Sequence, residues 1–436
     1  MTRHAPAIPF ILVTLFLDVL GIGLVVPILP RLIEELSGGN VSSASTMFGL
    51  LASLYALMQF IFAPVLGSLS DRYGRRPVIL FSLLGSGLDY LVLAVAPTLG
   101  WFFVGRIVAG VTGANIAAAS AYIADVSPPE KRAQSFGLIG VAFGLGFIAG
   151  PALGGLLGQT GLRLPFYAAA GLTLLNWCYG LLVLPESLDA RHRRAFDWGR
   201  ANPIGSLAAL RRHPVVSGLA GTFFLLHVAH AAVHSTWVLY TAYRYQWTVA
   251  QTGVSLAIVG AMAAIIQGGL VRVVVPRLGE RRAIATGLCI GVLTMTGYAV
   301  ATEGWMIYPI LVFGSLGGIT GPAAQALISK TVAPNEQGAV QGALSSLGSV
   351  AGFIGPLSAT TLFGYFISAR APVMLPGAPF YAGALVLLGA LALSSRAFRR
   401  STLHSTTPGV GHVVEDGHGH ATDQEGSDLA RHERNR

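Results

Sequence analysis

Long apolar runs recur along the whole chain of 436 residues and constrain its fold more than any other feature. A helix needs about 20 consecutive, mostly apolar residues to cross a lipid bilayer. The sequence predicts twelve such helices in two sets of six. The first six are predicted at residues 8–30, 46–67, 77–97, 99–123, 135–157 and 164–184. The second six are predicted at residues 214–240, 249–275, 282–302, 304–328, 338–362 and 376–396. The chain is therefore predicted to be an all-α polytopic membrane protein.

The charged residues support this interpretation by their number and their position. They make up 11% of the chain, whereas soluble domains carry about 25%. The net charge of +9 would suggest nucleic acid if the basic residues clustered on a soluble domain. They lie instead in short gaps between apolar runs, mostly on one side of the predicted bundle, together with the arginine-rich stretch 191–212. Because basic loops stay inside, both termini and the central linker are predicted to be cytoplasmic.

The two sets of helices resemble each other in sequence. Arg72-Tyr-Gly74-Arg-Arg76 recurs as Arg277-Leu-Gly279-Glu-Arg281, and Gly150-Pro151 recurs as Gly355-Pro356 at the same spacing. Since the matched loops lie on the same membrane side, the halves are predicted to be parallel repeats around a central cavity.

Four segments follow from this repeat. They are an N-terminal half at 1–184, a cytoplasmic linker at 185–213, a C-terminal half at 214–396 and a cytoplasmic tail at 397–436. The tail is polar and poor in aromatic residues, so disorder is predicted. Its histidines are too loosely spaced to predict a metal site.

A glycine- and arginine-rich loop joins the second and third predicted helices. It has the pattern Gly-x-x-x-Asp-Arg-x-Gly-Arg-Arg, formed by Gly67, Asp71, Arg72, Gly74, Arg75 and Arg76. Glycines allow a close approach of helices, and fixed charges can make contacts that change with conformation. The alternative is ordinary charge that only orients the chain in the membrane.

The fifth predicted helix carries a glycine every four residues around a proline. Its pattern is Gly-x-x-x-Gly-Pro-x-x-Gly-Gly, formed by Gly146, Gly150, Pro151, Gly154 and Gly155. One face of this helix can therefore approach another backbone closely. General helix packing would explain the same pattern.

Charged residues within the predicted membrane helices of the first half are Asp18, Asp89 and Arg106. Each costs about 2.5–3.5 kcal/mol on insertion scales, which makes such residues functional candidates. Two inward-facing carboxyl groups beside a cation are suited to proton exchange or to binding a cationic substrate. A static pair that holds helices together is the alternative.

Uncharged polar residues supply further candidates. Gln59 and Gln267 could bind a substrate or form interhelical hydrogen bonds. His227, His230 and His234 share one helix face with the spacing of metal ligands. No acidic residue or cysteine is near them in sequence, which favours packing or cavity lining over a metal site.

The loop and glycine patterns resemble the signatures of the major facilitator superfamily and of its exporters. Longer stretches are similar to the tetracycline/proton antiporters of Gram-negative bacteria, among them Leu17-Asp18 through Gly23, Leu54 through Gln59, Phe143 through Pro151 and Glu303-Gly-Trp305. The resemblance implies a monomeric pump in the bacterial inner membrane that exports tetracycline in exchange for protons by alternating access. It also implies that Arg75 pairs with Asp125 as a cytoplasmic gate and that the glycine motif lies at the hinge between the halves. The drug can arrive as a divalent-cation chelate, with no other cofactor.

The chain departs from that family at two positions. Ala263 and Gly291 align with a histidine and an aspartate that the family ties to proton coupling. Either the N-terminal aspartates suffice, or the chain is a multidrug or metabolite exporter that does not carry tetracycline. No Gly-x-x-x-x-Gly-Lys-Ser/Thr loop occurs, so ATP is not expected to drive transport. A membrane-bound enzyme would need a catalytic set that the sequence does not display, and a receptor that does not transport is a further alternative.

Overall fold

The computed structural model describes residues 7–113, 115–128, 132–189, 191, 193, 214–332 and 337–405. Within these ranges the regular structure is helical and no strand occurs. The helices of the N-terminal half are α1 (Ala7–Val25), α2 (Leu29–Leu36), α3 (Val41–Tyr73), α4 (Arg75–Val95), α5 (Leu99–Thr112), α6 (Asn115–Val126), α7 (Arg132–Thr160) and α8 (Leu164–Val183). Those of the C-terminal half are α9 (Pro214–Tyr245), α10 (Val249–Ile265), α11 (Val271–Leu278), α12 (Glu280–Val300), α13 (Gly304–Ser315), α14 (Thr320–Thr331), α15 (Gln337–Phe366) and α16 (Ala378–Ser405).

These helices form twelve spans in the predicted order. Span 1 is α1 with α2, and spans 2 and 3 are α3 and α4. Span 4 is α5 with α6, and spans 5 and 6 are α7 and α8. Spans 7 to 12 are α9, α10 with α11, α12, α13 with α14, α15 and α16. Eleven described segments are long and apolar enough to cross a membrane, and Leu99–Thr112 in span 4 is a shorter apolar helix. The prediction of a twelve-span membrane protein is therefore confirmed.

The ends of the spans differ from the predicted ends because apolar residues mark only the part in contact with lipid. Span 2 begins at Val41, where the Asn40 side chain accepts a hydrogen bond from the Ser43 backbone N–H at 3.0 Å. Such a cap extends a helix into polar sequence. The last helix continues to Ser405, beyond the predicted end at residue 396. Residues 194–213 of the predicted linker at 185–213 and residues 406–436 of the predicted tail at 397–436 lie outside the described residues.

Two glycines confirm the correspondence between the halves. Gly74 ends span 2 with a φ of 109°, and Gly279 ends span 8 with a φ of 76°. Residues other than glycine rarely adopt these backbone angles, so both sharp turns require glycine. They occupy matching positions of the two repeats.

The halves meet along two helix pairs, α3 with α15 and α7 with α10. Ser42 and Ser45 of α3 donate hydrogen bonds to the carbonyl oxygens of Gly364 and Thr360, both at 2.7 Å. At the same end of the molecule, Arg31 donates to the carbonyl oxygen of Trp247 at 2.6 Å. These bonds join the halves at the end opposite the Gly74 and Gly279 turns.

Candidate functional site

A buried ion pair lies within the N-terminal half. Arg106 Nη2 on α5 donates to Asp89 Oδ2 on α4 at 2.6 Å. The Asp89 side chain is 2% exposed and the Arg106 side chain 14%. Asp89 Oδ1 is also buried and has no hydrogen-bond partner among the described residues. Asp89 Oδ2 is therefore bonded to the Arg106 guanidinium, whereas Oδ1 can accept a proton or a hydrogen bond from a ligand.

A glycine provides the space for this carboxylate. A Cβ atom at Gly105 would overlap Asp89 Oδ1 and approach the Leu93 side chain at 3.2 Å. Gly105 precedes Arg106 in α5, so the same turn of helix supplies the cation and leaves room for its partner.

Tyr55 and Gln59 of α3 extend the pair into a cluster. The Arg106 guanidinium lies 5.7 Å from the centre of the Tyr55 ring, within the range of a cation–π contact. Gln59 Nε2 donates to the Tyr55 hydroxyl at 3.2 Å and to the carbonyl oxygen of Gly113 at 3.0 Å. The second bond joins Gln59 to span 4 at the C-terminal end of α5.

Asp18 of α1 belongs to the same cluster. Its side chain is buried, with 5% exposed, and it lies within electrostatic range of Tyr55 and Tyr90, as Asp89 and Arg106 do. The structure therefore brings together four of the predicted residues, which are Asp18, Gln59, Asp89 and Arg106. Tyr55 and Tyr90 were not predicted, although Tyr90 follows Asp89 in sequence and Tyr55 lies one helical turn before Gln59.

The fifth predicted polar residue lies elsewhere. Gln267 lines a cavity of about 340 Å³ within the C-terminal half, and Ala263 and Gly291 line the same cavity. A π-helical turn at Ile266–Leu270 carries Gln267, and a 3₁₀ turn at Leu316–Ile319 borders the cavity from span 10. Irregular turns of this kind are frequent at functional sites. Gln267 and the Asp89 cluster thus occupy separate halves.

The three histidines of α9 divide between two environments. His230 and His234 line the C-terminal cavity. His227 Nδ1 lies 2.9 Å from the carbonyl oxygen of Phe223, and its ring lies 4.0 Å from the Phe223 ring centre. Cavity lining thus holds for two of them and packing for the third. No group of metal-ligating side chains occurs within the described part of the chain.

Arg75 is the centre of a polar network at the opposite end from the Arg31 contact. Its Nε donates to Asp125 Oδ2 at 3.1 Å. Its Nη1 donates to Asp71 Oδ1 at 2.5 Å and to Ser70 Oγ at 2.9 Å. These bonds tie the start of span 3 to the ends of spans 2 and 4.

The remaining loop residues are placed differently. The Arg72 guanidinium lies 5.1 Å from the Tyr73 ring centre, and Arg76 Nη2 donates to the carbonyl oxygen of Leu181 at 2.6 Å. A Cβ atom at Gly67 would meet no atom within 4 Å. Packing in this conformation therefore does not require glycine there.

Glu186, which follows span 6, was not predicted to belong to this network. Its Oε1 accepts hydrogen bonds from the backbone N–H groups of Arg75 at 2.8 Å and of Leu188 at 3.0 Å. Its Oε2 accepts from the Arg76 N–H at 3.3 Å. A carboxylate at this position caps the N-terminus of α4 and interacts favourably with the helix dipole. The only available signal was an acidic residue shortly after the end of a span.

The glycine motif of α7 packs against two neighbours. Cβ atoms at Gly146 and Gly150 would lie 2.7 Å from Val19 and 2.6 Å from Gly23 of span 1, and one at Gly154 would overlap the Leu24 carbonyl oxygen. These distances are too short for any side chain.

The end of the motif faces the other half. A Cβ atom at Gly155 would lie 3.2 Å from the Cα atom of Gly253 of span 8, and one at Gly253 would overlap the carbonyl oxygen of Pro151. Span 5 thus lies in backbone contact with both span 1 and span 8.

Comparisons with known proteins agree with this architecture. The model of the Major Facilitator Superfamily matches residues 11–356. The chain is 42% identical to "Tetracycline resistance protein, class C" of Escherichia coli over 357 residues, which cover 82% of this chain and 89% of that protein. It is also 42% identical to the class G protein of Vibrio anguillarum over 350 residues, with coverage of 80% and 88%.

Solved structures have the same fold. The human organic anion transporter MFSD10 (TETRAN) superimposes with a TM-score of 0.68 at 25% identity, over 90% of this chain and 100% of that chain. A bacterial homologue of the human lysosomal transporter Spinster, in an inward-facing and unoccupied conformation, gives a TM-score of 0.74 at 16% identity, over 91% and 98%.

Proposed function

The chain belongs to the major facilitator superfamily, and we propose that it exports tetracycline across the bacterial inner membrane in exchange for protons. The observation that carries the substrate is the similarity to tetracycline resistance proteins over about four fifths of the chain. The two halves alternate in opening the central space to either side of the membrane, which leaves the drug chemically unchanged. The arginine-rich loops support an orientation with both termini in the cytoplasm.

The Asp89–Arg106 pair is proposed as the proton site of this cycle. An ion pair in apolar surroundings is stable only while both charges are present. On the outer side Asp89 accepts a proton, the carboxylate no longer accepts a hydrogen bond from the drug, and the drug is released. On the cytoplasmic side the proton leaves, the ion pair with Arg106 is restored, and Asp89 Oδ1 becomes an acceptor for the next drug molecule. Proton and drug therefore cross in opposite directions. Asp18, which lies near Tyr55 and Tyr90 beside this pair, is the second carboxyl group of this site.

The contacts between helices indicate which elements act as the hinge and the gate of this cycle. Span 5 contacts span 1 and span 8 through its glycines, so it can act as the hinge on which the halves turn. The Arg75 network with Asp71 and Asp125 holds spans 2, 3 and 4 together at the cytoplasmic end. We expect this network to rearrange when that end closes, as a gate does. The drug can be carried as a chelate of a divalent cation, and a monomer suffices for this cycle.

A second candidate is an exporter of other amphipathic compounds. Ala263 and Gly291 leave the C-terminal cavity without the charges that the family has at these positions, which favours a different substrate range. Accumulation of tetracycline in bacteria that express the chain separates the two. The first proposal predicts lower accumulation than in empty cells, and a protonophore abolishes the difference. Unchanged accumulation, together with resistance to other compounds in a panel, would favour the second.

A further inference from the structure

Two histidines of one helix face open onto the C-terminal cavity. His230 and His234 are four residues apart in α9, so their side chains lie one above the other on the same face. Both line the cavity, whose other walls come from spans 8, 9, 10 and 12 and consist mostly of apolar side chains such as Leu256, Leu288 and Leu387. The pair is therefore the main polar feature of span 7 in this cavity.

The imidazole rings of the pair are not engaged by the protein. Neither ring has a hydrogen bond to another described residue, whereas His227 on the same helix contacts the Phe223 carbonyl oxygen. A neutral imidazole carries one donor and one acceptor nitrogen. Both residues are exposed to the open cavity, so their ring nitrogens can hydrogen-bond to water or to a ligand that enters it. The volume of about 340 Å³ lies in the range of sites for drug-sized ligands.

The charged groups around His230 and His234 determine how stable a protonated imidazole is in this cavity. The remaining titratable side chain of the lining is Tyr298 of span 9, and no carboxylate, lysine or arginine belongs to the described lining. A protonated imidazole therefore has no counter-ion in this cavity, and a second proton on the pair is opposed by the first. The pair should hold one proton at most, and that proton needs water in the cavity to solvate it.

We propose that His230 and His234 make the C-terminal cavity a site at which a proton and the drug compete. A neutral ring accepts a hydrogen bond from a hydroxyl group of the drug, and a protonated ring cannot. The ring system of the drug also displaces the water on which the imidazolium depends. The occupant is thus a planar, largely apolar molecule with several hydroxyl and carbonyl groups. This inference rests on the proposed function and adds a second proton site, in the half that lacks a buried ion pair among its described residues.

Binding of tetracycline to the purified, full-length protein tests the proposal. Tryptophan fluorescence reports binding between pH 7.5 and pH 4.5 for the wild type, His230→Gln/His234→Gln and the control His227→Gln. A single competing proton raises Kd by at most about tenfold per pH unit. The wild type and the control are expected to lose affinity on acidification, and the double variant to lose much of this dependence. An unchanged dependence in the double variant would overturn the proposal. The variants His230→Gln and His234→Gln are measured separately as well, in case the double variant does not fold.

A measurement without drug keeps this inference separate from the proposed function. If the wild type does not bind tetracycline at any pH, the assignment of the substrate fails. The proton site is then tested by NMR of protein labelled with ¹⁵N-histidine. The signals that disappear in His230→Gln and His234→Gln should titrate as a coupled pair in the wild type over the same pH range. Signals that do not titrate would overturn the proton site.

Discussion

Arg106 and Asp89 form a buried ion pair in which Nη2 and Oδ2 lie 2.6 Å apart, while Asp89 Oδ1 has no partner among the described residues. The pair is thus neutral overall and retains an acceptor. Removing one member leaves a buried charge without its partner, at a cost of about 3–5 kcal/mol, whereas removing both is often nearly neutral. This difference separates a role in stability from a role in transport.

Asp89→Asn is accordingly expected to lower the thermal stability of the protein in detergent and to abolish proton-driven transport. Asp89→Asn/Arg106→Gln is expected to recover much of the stability but not the transport. Thermal unfolding and drug uptake into vesicles are measured on the same preparations. Full transport by the double variant would show that the pair only holds helices together.

Gly105→Ala tests whether Asp89 requires the space beside it. The new methyl group would overlap Asp89 Oδ1, so the carboxylate must move and the ion pair must weaken. Overpacking of this kind costs about 1–3 kcal/mol, and transport should fall while the protein is still inserted. Gly100→Ala in the same helix is the matched control, because its methyl group would meet only Thr98 Oγ1 at 3.8 Å. Equal activity of both variants would contradict the proposed geometry.

Gly155→Ala tests the contact between the halves. Its methyl group would lie 3.2 Å from the Gly253 Cα atom and 3.1 Å from the Val249 carbonyl oxygen, so span 5 must shift away from span 8. We expect slower transport at unchanged drug affinity, as measured by initial rates and by equilibrium binding. Gly140→Ala in the same helix meets no atom within 4 Å and serves as the control. Loss of transport in Gly140→Ala but not in Gly155→Ala would contradict the proposed hinge between span 5 and span 8.

Glu186→Gln tests the cap of span 3. Loss of the carboxylate weakens hydrogen bonds to the N–H groups of Arg75 and Arg76 and removes a favourable interaction with the helix dipole. The expected cost is about 0.5–2 kcal/mol, seen as a lower unfolding temperature in detergent. Glu35→Gln, at an exposed position of α2, should leave that temperature unchanged. A similar decrease in both variants would mean that Glu186 contributes only surface charge.

The sequence allowed the spans and the charged cluster to be predicted for the same physical reason. Lipid requires long apolar runs, and it penalises a charge such as Asp89 unless a partner such as Arg106 is near. The surroundings of the uncharged polar side chains could not be predicted in this way. Gln59 and Gln267 are equally polar in sequence, yet Gln59 is hydrogen-bonded to Tyr55 whereas Gln267 lies in a π-helical turn and lines a cavity.

The ends of the helices and their capping residues could not be predicted from the apolar pattern either. Asn40 accepts one hydrogen bond from the Ser43 backbone N–H, three residues later, whereas Glu186 accepts several from backbone N–H groups. The bonds from Glu186 to span 3 depend on where two chain segments meet, and hydropathy reports neither these bonds nor the Asn40 cap.

Proton movement driven by tetracycline is the most direct test of the central claim. Purified protein is reconstituted into liposomes that contain a pH-sensitive dye, and tetracycline is added on one side without an imposed gradient. The account predicts that drug entry drives protons out of the liposomes in the wild type, and that Asp89→Asn abolishes this flux. Drug entry without proton movement, or an equal flux in liposomes without protein, would contradict proton-coupled export of tetracycline.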